Sequence, residues 1–280
     1  MFTIIILVYN NSKYLEDCIK SISIQTYQGY EVIIIDDCSQ EDPSDLIHKI
    51  AEKYFGKSGI WQYFRNSENM GTVKSANKGV SLAKGNLIKL IAADDKFHDA
   101  NTLGYIFENF KPEMRVLLSR VAKCNEDLVW NGEYECEEFQ SEINNNGIRA
   151  QKKLAIRNLI AAPGVFFKKE FFDKWGLFDE TYRLLEDWPT WLRTLRNGEK
   201  FYYLEYTTVD YRNDSGVVSG GNPYYLKDRK RCCQNEVIKN YHYYGIICCI
   251  CSWITSELLS NQHFRCIAYK MQRKWKRRKS

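Results

Sequence analysis

Four short apolar runs recur through the first hundred residues, each followed by polar turn residues and, after the first three, by a stretch with helical spacing. Residues 3–8 (TIIILV) are continuous and β-branched, which predicts a buried strand. Asn10-Asn11-Ser12 predicts a turn and a helix cap, and Leu15, Cys18, Ile19 and Ile22 then fall on one helical face. Residues 31–35 (EVIII) predict a second buried strand. Asp42-Pro43 predicts a helix start, with Asp as the cap and Pro in the first helical position. Leu46, Ile47, Ile50 and Tyr54 form that helix's apolar stripe. A weaker strand follows over 60–64, then a helix carrying Val73, Ala76, Val80 and Ala83 and closed by Gly85. Residues 87–91 (LIKLI) predict a fourth strand.

Beyond residue 100 the pattern loosens. Leu103, Ile106, Phe107 and Phe110 fit a helix ended by Pro112, and 115–119 and 165–167 read as strands. Residues 124–150 read as an irregular excursion, with a turn at Asn144-Asn145-Asn146-Gly147. Trp188 to Arg196 predicts a helix ended by Asn197-Gly198, and 201–206 a last strand. Alternating strands and helices imply an α/β fold with a mainly parallel central sheet and right-handed crossovers. Ligands of such sheets bind beyond the carboxyl ends of the strands. Tyr9-Asn10, Asp36-Asp37 and Asp94-Asp95 all fall at such ends, so polar groups are expected to converge on one sheet edge.

Charge changes the picture only at the end of the chain. Residues 265–280 hold eight Lys or Arg and no acid, and removing these eight from a net charge of +5 leaves about −3 for the rest. A nearly neutral body with a basic tail argues against a nucleic-acid binder and for local contact with an anionic membrane surface. The run 244–256 (YGIICCICSWITS) carries no charge and is too short to cross a bilayer, and Trp275 lies in the basic cluster. The competing reading is a core helix followed by a solvated tail. The first residues run straight into a strand without a basic leader, which predicts a cytoplasmic protein, peripheral on the inner face of the plasma membrane. The ten cysteines are then expected as reduced thiols, and the C-x-x-C pair Cys248/Cys251 as packing groups rather than a metal site.

Asp pairs beyond buried strands are costly without partners. Asp36-Asp37 reads equally as turn capping or as function, whereas Asp94-Asp95 on a tight turn could hold a hard divalent cation. Asn69-Met70-Gly71 opens the third helix and suits close approach by a phosphate, although G-x-G-x-x-G is absent, which lowers a dinucleotide dehydrogenase. Glu186-Asp187 precedes an amphipathic helix and reads either as an N-cap or as a general base in a cleft. Tyr211-Arg212 to Ser219 reads as a Gly/Ser-rich loop whose cation could close over an anionic leaving group, or as a solvated surface loop.

In combination, three stretches resemble the family 2 glycosyltransferases with their GT-A fold. They are 4–42 (IIILVYNNSKYLEDCIKSISIQTYQGYEVIIIDDCSQED), 69–97 (NMGTVKSANKGVSLAKGNLIKLIAADDKF) and 176–193 (GLFDETYRLLEDWPTWLR). The resemblance covers roughly residues 2–215. It implies Tyr9 beside a nucleotide base, Asp37 on base or ribose, Asn69 and Gly71 in the donor site, and Asp94 on ribose or metal. It also implies Asp95 as the direct ligand of Mn2+ or Mg2+, and Asp187 as catalytic base of an inverting transfer. Ala92 stands where many members carry Asp, and Ala76 where many carry Arg, with Lys74 nearby. The implied division is 1–100 for the nucleotide sugar, 101–220 for the acceptor and base, and 221–280 as a C-terminal extension. The implied reaction moves a sugar from a nucleoside diphosphate, with uridine by analogy, to a glycan or lipid-linked acceptor in cell-surface polysaccharide synthesis. A non-catalytic nucleotide-sugar binder and a nucleotidyltransferase are the alternatives.

Overall fold

The computed structural model describes residues 1–57, 59–133, 142–143, 147–212 and 222–260. The expected strands and helices of the first hundred residues are present. They are β1 (Phe2–Val8), α1 (Leu15–Ser23), β2 (Tyr30–Asp36), α2 (Ser44–Phe55), β3 (Trp61–Arg65), α3 (Thr72–Leu82) and β4 (Leu87–Ala92). There follow β5 (Lys96–Phe97), α4 (Thr102–Asn109), β6 (Val116–Cys124), β7 (Trp130–Glu133), α5 (Ile148–Ile156), β8 (Val165–Lys168), α6 (Lys169–Trp175), α7 (Asp187–Arg196) and β9 (Phe201–Arg212). The C-terminal part adds α8 (Pro223–Cys232), a short α9 (Tyr241–Tyr244) and α10 (Ile246–Ser260).

One nine-stranded sheet runs in the order β3-β2-β1-β4-β8-β6-β9-β5, with β7 alongside β6. Its first four strands are parallel, as the crossovers require. β8 then pairs antiparallel with both β4 and β6, and β9 runs parallel to β6. Alternation along β1 divides the core. Phe2, Ile4, Ile6 and Val8 pack with α1, α2 and α4, while Ile5 packs with α3 and the later helices. Gly79 lets α3 close on β1, since a Cβ there would meet Ile5 Cγ2 at 2.4 Å.

Several local expectations shift. α2 starts one residue later than expected, and Asp42 Oδ1 accepts from the Ser44 amide at 2.9 Å. Leu46, expected inside, is exposed, and Ile47, Ile50 and Ala51 carry the buried face instead. Phe107 is also exposed and lies against Tyr27, with ring centroids 4.8 Å apart. The irregular excursion contains β7 and the first turn of α5, and residues 144–146 of its expected turn lie outside the described residues. The basic tail from 265 onward lies outside them too.

Away from the strand ends, Glu199 gathers the start of β6 and the end of α6. Its carboxylate accepts Arg115 Nε at 2.9 Å and Nη2 at 3.0 Å, Trp175 Nε1 at 2.6 Å and Lys174 Nζ at 3.2 Å. Burial pushes its pKa up, but these donors outweigh it and hold the carboxyl below its ordinary value. A lowered carboxylate stabilises above its unfolded pKa and loses that contribution as pH falls through the folded one. Glu199→Ala should therefore cost about 3–5 kcal/mol in urea unfolding at neutral pH, with the gap from wild type narrowing in acid. A cost under about 1 kcal/mol, typical of an exposed pair, would contradict this.

Candidate functional site

Register places three turns level with one another. Val8 pairs with Asp36 and Leu7 with Ala92, so the chain leaves β1, β2 and β4 at the same edge. The Asp37 amide donates to Val8 O at 2.9 Å and the Ala93 amide to Leu7 O at 3.0 Å. Side chains lace the turns together. The Asn10 amide donates to Ser39 Oγ at 2.9 Å, and Asn11 Nδ2 donates to Asp94 Oδ1 at 3.0 Å. Asn11 is therefore a link across the site and not the expected cap. Asn10 and Cys38 hold positive φ of 54° and 60°, a left-handed conformation that residues other than Gly and Asn rarely adopt. Tyr9 is exposed at this edge.

The adjacent acids Asp36 and Asp37 divide their work. Asp36 is fully buried, ion-paired with Arg65, and accepts from Ser39. Asp37 Oδ1 accepts Asn66 Nδ2, the Met70 amide and Ser75 Oγ at 2.8–3.0 Å, and Oδ2 accepts the Gly71 amide at 2.8 Å. Asp37 thus shapes the Asn69–Gly71 turn, and Oδ2, with one protein donor described, keeps capacity for another. Gly71 has φ +88°, and a Cβ there would lie 2.5 Å from Arg183 O. Arg183 Nη2 donates to Asn69 O at 2.7 Å and also to Asn69 Oδ1. Ala76 is buried in the core and Lys74 is exposed, while Lys78 Nζ donates to Asn66 Oδ1 at 2.8 Å.

Asp94 and Asp95 sit past β4 over a set of buried cations. Asp95 is 1% exposed, and its Oδ1 accepts the Arg212 amide at 3.1 Å. Burial, with the neighbouring Asp94 charge, pushes the Asp95 carboxyl well above the usual range, against the pull of Lys89 and Arg212. Lys89 is buried on β4 and its Nζ donates to Pro163 O and Val165 O. Burial pushes its pKa down to about 7, and the Asp95 charge works the other way. Arg212, read from the sequence as a loop cation, ends β9 and is buried. It donates to Asp94 O, to Glu126 O at 2.9 Å and to Asp17 Oδ2 at 2.7 Å, and stacks on Tyr14. Residues 213–219 of that loop lie outside the described residues.

Asp187 opens α7. Its Oδ2 accepts Asn158 Nδ2 at 2.6 Å and its Oδ1 the Trp188 amide at 2.6 Å. Burial raises its pKa, and those two donors oppose the rise. Burial and the Asp187 charge push Glu186 up to about 8. The loop before α7 is clamped by Asp228, which accepts the Arg183 and Leu184 amides at 2.7 Å each. Arg229 lies 4.9 Å over the Trp188 ring, and its Nε and Nη2 have no partner among the described residues. Two connections bring the Asp187 loop to the strand ends. One runs from Arg183 to Asn69 and so to Asp37. The other is the segment from Asn158, on Asp187, to Pro163, on Lys89 beside Asp95, which spans at most about 20 Å when extended.

Sequence reasoning singled out Tyr9, Asp37, Asn69, Gly71, Asp94, Asp95 and Asp187, and all seven border this connected region. It missed Lys89, Asn158, Arg183, Asp228 and Arg229. Lys89 alone carried a signal, a lysine at the centre of an otherwise apolar strand.

The sequence profile described as Glycosyl transferase family 2 matches residues 3–176, more than half of the chain. The chain belongs to glycosyl transferase family 2. A PGL/p-HBAD biosynthesis glycosyltransferase of Mycobacterium tuberculosis is 24% identical over 221 residues, 78% of this chain and 79% of that protein. Glycosyltransferase GlyG of Streptococcus pneumoniae is 28% identical over 95 residues, 34% of this chain and 30% of that protein. Among solved structures, S. aureus TarS 1-349 in complex with UDP-GlcNAc has a TM-score of 0.62 at 18% identity, covering 86% of this chain and 69% of that one. Against the longer TarS structure the match covers only 41% of that chain. The mannosyltransferase PcManGT from Pyrobaculum calidifontis, in complex with GDP-Man and Mn2+, has a TM-score of 0.62 at 14% identity, covering 97% of this chain and 79% of that one. These likenesses give the GT-A fold, and family membership makes the chain a glycosyltransferase.

The Gly71 backbone tests the geometry of the turn. Gly71→Ala should lower stability by about 2–4 kcal/mol, from the strained φ and the clash with Arg183. Thermal unfolding within wild-type error would contradict the close approach.

Proposed function

We propose that this glycosyltransferase moves a sugar from a nucleoside diphosphate, a uridine one by preference, to a hydroxyl of a glycan or lipid-linked acceptor. The transfer inverts the anomeric carbon, and its setting is cell-surface polysaccharide synthesis. The observation that carries this reading is the pair of carboxylate stations, Asp94-Asp95 and Asp187, joined by the short segment Asn158–Pro163. The nucleotide-sugar ligands of the two solved relatives support the donor class.

In this reading residues 1–100 bind the donor, 101–220 carry the base and the acceptor face, and 221–280 form a C-terminal extension, whose Asp228 and Arg229 brace the base. Tyr9 faces the base ring. Asp37 Oδ2 takes a base or ribose donor, and Asn69 and Gly71 line the donor site. No group of three or more His, Cys, Asp or Glu among the described residues could hold a metal alone. Two carboxylates do fit a hard cation that completes its shell with diphosphate oxygens and water. The raised pKa of Asp95 marks a buried charge short of compensation, which a dication would provide. Asp95, with Asp94, would hold Mn2+ or Mg2+, which supplies electrostatic stabilisation of the departing diphosphate.

The chain's own residues do the rest. Asp187 takes the proton of the acceptor hydroxyl as the oxygen attacks from the face opposite the leaving group, so one displacement suffices. Asn158 and the Trp188 amide fix its carboxylate. Glu186 precedes it with a carboxyl raised to about 8, and Arg229 lies over the ring of the following Trp188.

Asp187→Asn should lower kcat by ~100- to 10,000-fold and leave donor affinity unchanged. Because burial raises the Asp187 pKa, the acid limb of kcat/KM should lie above that of an ordinary carboxylate. Glu186, raised to about 8, is neutral across that limb, so Glu186→Gln should leave it in place. Near-normal turnover in Asp187→Asn would overturn the base assignment. Asp95→Ala should weaken manganese-dependent UDP binding by about 10- to 100-fold, read by calorimetry, and spare the metal-free affinity. An unchanged metal titration would remove Asp95 as a ligand.

A further inference from the structure

The last described helix is built inside out. Along α10 the inward residues are Cys248, Cys249, Ser252 and Ser256, with Ser252 at 1% and Ser256 at 2% exposure. Ser252 Oγ donates to Ala155 O at 2.7 Å, and the thiols of Cys248 and Cys249 donate to Lys152 O and Val237 O. The outward residues are Ile246 at 67%, Ile247 at 78% and Trp253 at 53% exposure, together with Ile250, Ile254 and Leu258. At 100° per residue these six share one face, opposite the serines and cysteines. Glu257, the only acid on α10, is paired with Lys230 at 2.9 Å. Helices of water-soluble surfaces have the reverse polarity. A continuous exposed stripe of large apolar residues marks a contact with something other than water.

We propose that the outward face of α10 is a docking surface for an anionic lipid bilayer, with the helix lying in the plane of the interface. Charge chooses this occupant. The sequence beyond α10 brings eight Lys or Arg and no acid between 265 and 280. Cations next to an apolar, Trp-bearing face fit anionic headgroups above a hydrocarbon boundary. A second copy docked through the same face would bring two such basic segments together, at a repulsive cost. α10 as described is shorter than a bilayer core. Its 15 residues reach about 22 Å, short of the ~30 Å of a hydrocarbon core, and no described helix is long and apolar enough to cross a membrane. The proposal stands on the stripe and the charge, and is independent of the donor-site reading.

The test is co-sedimentation of the full chain with vesicles of phosphatidylcholine, alone or mixed with phosphatidylglycerol. Wild type should pellet with the anionic vesicles and stay in the supernatant with the zwitterionic ones. Ile250→Glu/Trp253→Glu should lower the bound fraction by about tenfold or more, with the Tm unchanged. Should that pair lower the Tm, Ile250→Ser/Trp253→Ser repeats the test with a milder change. Trp253→Phe should still bind but lose much of the quenching of Trp fluorescence by brominated lipid. Wild type that ignores anionic vesicles, or a double variant that binds them as well as wild type, would overturn the proposal. So would a vesicle-free dimer in sedimentation equilibrium that the double variant dissociates, which would assign the face to a second copy.

Discussion

A carboxylate pair buried at the end of β4 organises the strand-end edge of this protein. Two acids removed from water cost several kcal/mol each unless charge or hydrogen bonds answer them. The answer here is assembled from distant parts of the chain. Lys89 comes from within β4, Arg212 from the end of β9, and Asn11 from the turn after β1. Even so, burial and the neighbouring Asp94 charge keep the Asp95 carboxyl well above its ordinary pKa, against the pull of Arg212 and Lys89. In the proposed reading, a divalent cation at Asp94 and Asp95 would add to this set of partners.

The same economy of partners explains the second station. Asp37 uses the β2 end to hold the Asn69–Gly71 turn, and that turn needs glycine because Arg183 presses against it. Arg183 in turn leads into the loop that Asp228 clamps and that ends at Asp187. Distortion in one turn would therefore reach Asp187, the proposed base, through backbone contacts. Asp187, Asp228 and Arg229 all lie beyond the stretch matched by the family profile, so the proposed site draws on the C-terminal helices of this chain.

Much of the first hundred residues was legible because apolar runs and turn residues alternate cleanly there. Asp37, Asp94 and Asp95 could be placed at strand ends by counting along those runs. Leu46 could not be placed, since a stripe read at 3.6 periodicity has an edge, and packing against α1 and β3 chose Ile47 and Ala51 instead. The later elements were obscured for other reasons. α5 and α6 are short, and β8 is a four-residue insertion that reverses the sheet direction, which no local pattern announces. Arg212 looked like a loop cation because its partners Asp17 and Asp94 lie more than a hundred residues away. α10 was legible as an uncharged run, but which of its faces pointed outward was a property of packing alone.

The central claim is that one crevice at the strand ends holds a sugar-nucleotide diphosphate between the two acidic stations. Anomalous diffraction from crystals grown with manganese and UDP tests it most directly. The account predicts a manganese peak bonded to Asp95 and to diphosphate oxygens, with Asp187 facing the open side of the β-phosphate. A nucleotide seated elsewhere, with no metal beside Asp94 and Asp95, would contradict it.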